Sequence, residues 1–242
     1  MPNTWTKALN SYRYQVDLGN YHRKADFPNY FSRKISGDRS STIAFEDYFR
    51  ARAANIQPWF EVVFWKMYSQ KNHFQEQTDR IIRQIPRRSA EDPKILLAAI
   101  NTFMQSLDAR DFEKFTRILG YNSAVATVAT FPAFLDPENF PMVDTRVAKW
   151  VNKHYPHFNG VDLAAPKLIP FAFGTTSKTT VLTMQDFPAY LKWISWTRFI
   201  AGVLSRKTGA NWRARDVEMA VFTAWGNRNA FHVEMKLNPL FQ

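Results

Sequence analysis

An aspartate at the start of a helix, preceded by a glycine turn, is the combination in this chain best suited to chemistry. Asp144 stands in Phe-Pro-Met-Val-Asp-Thr-Arg-Val (140–147), where an amphipathic segment begins. A helix N-terminus favours the ionised form of a carboxylate. Asp144 can therefore supply a fixed negative charge or, more simply, cap its own helix. About twenty residues upstream, Gly120-Tyr121-Asn122-Ser123 separates a helical pattern from a segment with the small residues Ala124, Ala126 and Ala129. Asn122 is of the non-glycine type that best tolerates left-handed dihedrals, and Ser123 can cap the helix that follows. Such a turn offers backbone N–H groups to an anion. An ordinary αα-hairpin has the same pattern, and the turn alone favours that plainer reading.

Taken together, Gly120-Tyr121-Asn122, the small-residue helix and Val143-Asp144-Thr145-Arg146-Val147 resemble the helix-hairpin-helix DNA glycosylase superfamily, of the 8-oxoguanine DNA glycosylase and endonuclease III kind. The resemblance implies a mostly all-α, two-lobed fold with the active cleft between the lobes. It implies double-stranded DNA as partner, held at its phosphates by the hairpin (111–134) through Gly120, Tyr121, Asn122 and Ser123 without sequence readout. Asp144 would stabilise the positive charge that grows on the sugar as the glycosidic bond breaks. Arg146 and Lys149, on the helix that Asp144 opens, are the nearest basic candidates for phosphate contact. Bifunctional members carry a Schiff-base lysine on the second hairpin helix. Counting from Gly120, that position is Ala124, and Lys114 and Lys149 lie elsewhere. The implied activity is that of a monofunctional glycosylase, with water as nucleophile and no cofactor. Two alternatives stay open: a non-catalytic DNA-binding protein on the same fold, and a group transferase acting on modified DNA bases.

Two further segments share the likeness, which spans roughly residues 55–230. Gln70, with Asn72 second, stands where family members place a polar side chain into the gap left by a flipped base; a polar helix end explains them equally well. Asp216, in Trp212-Arg213-Ala214-Arg215-Asp216, stands where an acidic residue helps to read the base, and it also suits a helix cap. Trp59, Phe60, Trp193 and Trp196 can line a base pocket or fill a core.

These residues need a helical scaffold, and the periodicity supplies one. Pro58 sits in the first turn of a segment apolar almost all round, Trp59–Tyr68, which predicts a central buried helix. Leu96, Ile100, Phe103 and Leu107 repeat at three and four, as do Val143, Val147, Trp150 and Val151. A helix is expected around Ile43–Ala54, another from Ala124 to Thr130 with Pro132 kinking or ending it, and two more at Phe187–Arg206, capped by Asp186, and Asp216–Trp225. Prolines and glycines from Pro156 to Gly174 predict the loss of helix there, with a short hairpin between Phe171 and Thr183. Residues 1–54 read as an extension packed on a domain of residues 55–242.

The chain has 242 residues, a net charge of +11 and 16% aromatics, with an isoelectric point near 9.9, which suits a polyanionic partner. It has no cysteine, which excludes disulfides, thiolate-bound zinc and iron–sulfur clusters. Its five histidines form no metal motif; His154 and His157 are three apart on an exposed segment. No apolar run is long enough to span a membrane. A soluble, intracellular, nucleoid-associated monomer is expected.

Overall fold

The computed structural model describes residues 4–27, 31–68, 73–85, 92–120, 125–161, 165–175 and 180–226, which are mostly helical. The described helices are α1 (Thr4–Asn10), α2 (Arg39–Arg52), α3 (Ile56–Met67), α4 (Phe74–Ile82), α5 (Pro93–Ser106), α6 (Ala109–Ile118), α7 (Val125–Val128), α8 (Thr130–Leu135), α9 (Thr145–Val161), α10 (Phe187–Thr208) and α11 (Ala214–Gly226). Two compact units divide them. One is built from the described residues of Arg13–Leu135, the other from those of Met1–Tyr12 and Asp136–Gln242.

The 13–135 unit opens with an antiparallel pair, β1 (Val16–Asp17) and β2 (Lys34–Ile35), in which Val16 faces Ile35. Gly37 then turns the chain with φ +80°, and its carbonyl accepts the Tyr14 N–H at 2.8 Å. Asp38 caps α2 by accepting the Ser41 N–H at 2.7 Å, so this helix starts four residues before the apolar pattern at Ile43 suggests. Helix α3 is the centre of the unit, with every residue from Pro58 to Trp65 buried. Trp59 stacks on Phe131 at 5.0 Å, Phe49 meets its edge, and its indole N–H donates to the Ala53 carbonyl. Helices α5 and α6 form a hairpin joined at Leu107, whose φ is +53°, and Asp108, which caps α6. Phe103 packs against Phe112 across that hairpin at 4.8 Å.

The expected helix from Ala124 through Thr130 is instead divided into α7 and α8, with Pro132 inside the first turn of α8. Pro132 has no N–H for the Val128 carbonyl four residues back, and its ring crowds that carbonyl. The break therefore falls upstream of the proline, at Ala129.

In the other unit, α1 packs on α11. Helix α9 does not stop where its prolines and glycines suggest; it runs through Pro156 to Val161. An interior proline costs about 3 kcal/mol. Beyond it, Phe158 is buried between Trp196 (4.7 Å) and Trp150 (5.2 Å), which contributes roughly 2 kcal/mol. Asn159 adds two hydrogen bonds to the backbone of Leu168, both at 2.8 Å, each worth about 1 kcal/mol. Continuing the helix therefore offsets the proline.

Asn152 makes the matching clamp two turns earlier: its Nδ2 donates to the Phe171 carbonyl and its Oδ1 accepts the Phe171 N–H. The segment after α9 is thus laid back along the helix by two asparagines. Asn152→Ala should destabilise the protein by about 2–3 kcal/mol, because a backbone N–H and C=O lose their partners together. Asn152→Asp should also destabilise it, since a carboxylate cannot donate to the Phe171 carbonyl. Urea midpoints for the two variants check this.

A hairpin follows, β3 (Gly174–Thr175) pairing with β4 (Thr180–Val181). Asp186 does not cap α10 with its side chain. Its carboxylate accepts the N–H groups of Phe173 (3.0 Å) and Thr183 (2.8 Å), tying the two ends of the hairpin. Helix α10 ends at Gly209, φ +68°. Among the described residues, no helix is long and apolar enough to cross a membrane.

Candidate functional site

The residues just before Asp144 are fixed by α10. The Tyr190 hydroxyl donates to the Pro141 carbonyl at 3.3 Å, and the Trp193 indole N–H donates to the Met142 carbonyl at 2.9 Å. Both donors are fully buried, and burial pushes the Tyr190 phenol well above its ordinary range, keeping it a neutral donor. Upstream, Arg198 Nε donates to the Asn139 carbonyl at 2.7 Å, with its guanidinium over the Phe140 ring at 5.0 Å. Burial lowers the Arg198 pKa, against the pull of Asp136. The entry to α9 is thereby held by side chains from one neighbouring helix.

Asp144 is the cap of α9. Its Oδ1 accepts the backbone N–H groups of Arg146 (2.9 Å) and Val147 (2.8 Å), and its carbonyl accepts that of Ala148. Its Oδ2 accepts no hydrogen bond from the described residues, and the side chain is half-buried. Arg146 and Lys149 are exposed on the same helix, and the Arg146 guanidinium lies over the Phe222 ring of α11 at 5.1 Å. One carboxylate oxygen thus organises the helix start, while the other can face an electron-poor carbon or a water molecule. Flanking cations and the helix N-terminus give the surroundings a positive potential suited to phosphate.

Asp216 is fully buried and occupied within its own helix start. It sits in the first turn of α11, where it accepts the Arg213 backbone N–H at 3.0 Å and grips the Arg213 guanidinium at 2.9 and 3.2 Å. It closes the helix from inside the first turn, as the acidic member of a capping box does. The carbonyls of Glu138 and Pro137 accept the N–H groups of Ala214 and Arg215. Arg215 and Glu218 form a second buried ion pair two residues on. The sequence carries a signal for both pairs, since 213/216 and 215/218 are each three apart at the start of a helix.

Trp59 and Phe60 are buried in the 13–135 unit, and Trp193 and Trp196 in the other; all four take the core role that the sequence left open for them. Gly120 ends α6 with φ +84°, and its N–H donates to the Arg117 carbonyl. A Cβ there would lie 2.7 Å from Gln84 Cβ, so glycine is required by both dihedral and space. Tyr121, Asn122, Ser123, Ala124, Gln70 and Asn72 lie outside the described residues. Asp144, Arg146 and Lys149 share one helix start, and Asp216 belongs to the same unit. No local pattern marks Arg198, Tyr190 and Trp193 as positioning that start, because their partners are 59, 49 and 51 residues away. Among the described residues no group of three or more His, Asp or Glu is placed to hold a metal ion.

No family model, curated protein or solved structure matches the chain.

Proposed function

We propose that the protein is a monofunctional DNA glycosylase, which flips a damaged or modified base from duplex DNA and hydrolyses its N-glycosidic bond. The observation that supports this reading is the divided carboxylate of Asp144: Oδ1 holds the helix, Oδ2 accepts no hydrogen bond from the described residues, and Arg146 and Lys149 are exposed on the same helix. As the bond from C1′ to the base lengthens, positive charge grows on the sugar and Oδ2 stabilises it. Water adds its oxygen to C1′, and its proton leaves with the base. Arg146 and Lys149 hold flanking phosphates. Ala124 stands where a Schiff-base lysine would be, so the sugar forms no bond to the protein.

The test is a panel of duplexes, each with one modified base, scored for strand breaks. Breaks should form only after alkali, and borohydride should trap no protein–DNA adduct. A trapped adduct would mean that another amine has taken the lysine's place.

Duplex binding should weaken steeply with salt, because basic side chains displace counterions. Charge reversal at Arg146 or Lys149 should weaken binding alike on all sequences and reduce the salt slope by about 1–2. Absence of duplex binding at low salt would remove the DNA reading altogether. The non-catalytic DNA-binding alternative has support in the same geometry, since the two bonds to Oδ1 give Asp144 a structural role.

A further inference from the structure

Glu61 interrupts the apolar run of α3 and is fully buried, in the 13–135 unit. Among the described residues, neither of its carboxylate oxygens has a hydrogen-bond partner of ordinary geometry. The groups that bear on it electrostatically come from two other segments: Tyr48 and Arg52 of α2, and Arg33 just before β2. Arg33 Nε lies 3.9 Å from Glu61 Oε1. The guanidinium carbon of Arg33 is 3.4 Å from the centre of the Tyr48 ring, and that of Arg52 is 4.8 Å from it. Two cations therefore share one aromatic ring next to a buried carboxylate, and both reach solvent.

Two guanidiniums over one ring repel each other unless a negative charge is near, and Glu61 is that charge. A buried ionised carboxylate without hydrogen bonds is itself unfavourable. Burial pushes Glu61 up to about 7, although Tyr48, Arg33 and Arg52 all pull it down. The cluster thus has two charge states. With Glu61 ionised, the arginines are partly neutralised from within. With Glu61 protonated, both guanidiniums are left uncompensated and their solvent sides attract an anion.

We propose that Arg33 and Arg52, stacked on Tyr48 beside Glu61, form a phosphate-binding site whose occupancy is coupled to protonation of that buried carboxylate. The planar guanidinium fork matches phosphate oxygens, and stacking on Tyr48 fixes both forks in advance. The ligand chemistry is a phosphodiester oxyanion, from a nucleic-acid backbone or a small free diester. The site stands independently of the excision reading, since Asp144 takes no part in it.

The sign follows from linkage. An anion over the arginines disfavours ionised Glu61 and raises its titration midpoint. Reciprocally, the anion binds best where Glu61 is protonated, and its affinity falls as pH rises through the midpoint near 7. Histidines titrate in the same range, so the comparison with Glu61→Gln is the decisive one.

The full chain, labelled with ¹³C at glutamate carboxyls, is titrated alone, with a short DNA duplex, and with dimethyl phosphate, whose single charge is constant over this range. The Glu61 resonance is identified by its loss in Glu61→Gln. Its midpoint should rise with a bound diester. A rise with both ligands marks a general diester site, and a rise with the duplex alone marks a backbone site; a midpoint moved by neither overturns the proposal. Duplex affinity between about pH 6 and about pH 8 should fall about fivefold more in wild type than in Glu61→Gln. The double variant Arg33→Gln/Arg52→Gln should bind more weakly and lose that excess pH dependence. An unchanged pH slope in Glu61→Gln, or wild-type binding by the double variant, also overturns it.

Discussion

Asp144→Asn should lower base excision by at least about a hundredfold while melting temperature and duplex affinity stay the same or rise. The substitution separates two jobs held by one side chain. Asparagine caps helices as well as aspartate does, and its Oδ1 can still accept the N–H groups of Arg146 and Val147. The helix start is kept, and with it the fold. What is lost is the negative charge at Oδ2, where an interaction made in the transition state acts on the rate of the chemical step rather than on binding. Removing a negative charge near phosphates also makes duplex binding no worse. Asp144→Ala is the contrasting variant: it should lose excision and about 1 kcal/mol of stability as well, because the cap goes too. Excision rates on a processed duplex, with thermal melts of both variants, check the pair. Full excision by the asparagine variant would reduce Asp144 to a helix cap and favour the non-catalytic reading.

Gly37→Ala should destabilise the protein by more than about 3 kcal/mol, a large share of the 5–15 kcal/mol that holds a typical domain. The residue has φ +80°, which costs a non-glycine residue roughly 1–2 kcal/mol. The larger part is steric. A Cβ would lie 2.1 Å from the Tyr14 carbonyl carbon and 2.4 Å from the Gln15 nitrogen, and backbone cannot rotate aside as a side chain can. Tyr14 is bonded to the Gly37 carbonyl at 2.8 Å, so any shift that relieves the clash pulls on the chain leading into β1 and on the cap of α2. Gly209→Ala is the control. Its φ of +68° carries similar strain, but nothing lies within 4 Å of its Cβ position, and it should cost only about 1 kcal/mol. Chemical denaturation of both variants isolates the clash from the dihedral.

The sequence by itself determined the helical class and the buried faces, because periodicity is a short-range property of the chain. Val143, Val147, Trp150 and Val151 are buried as their spacing requires, as are Leu96, Ile100 and Phe103. Local chemistry also marked Asp144 as a helix start. Tertiary structure decided the features that depend on partners distant in the chain. Pro156 stays inside α9 because Phe158 finds Trp196 and Asn159 finds Leu168. Asp186 turns from α10 to the backbone of Phe173, thirteen residues away. The entry to Asp144 depends on Tyr190 and Trp193, which reach residues 49 and 51 positions away. Glu61 shows the same division. Its place in an apolar helix is visible in the sequence, but the two arginines and the tyrosine beside it come from other segments. Propensity and capping act within a few residues, whereas such pairings exist only once the helices have packed.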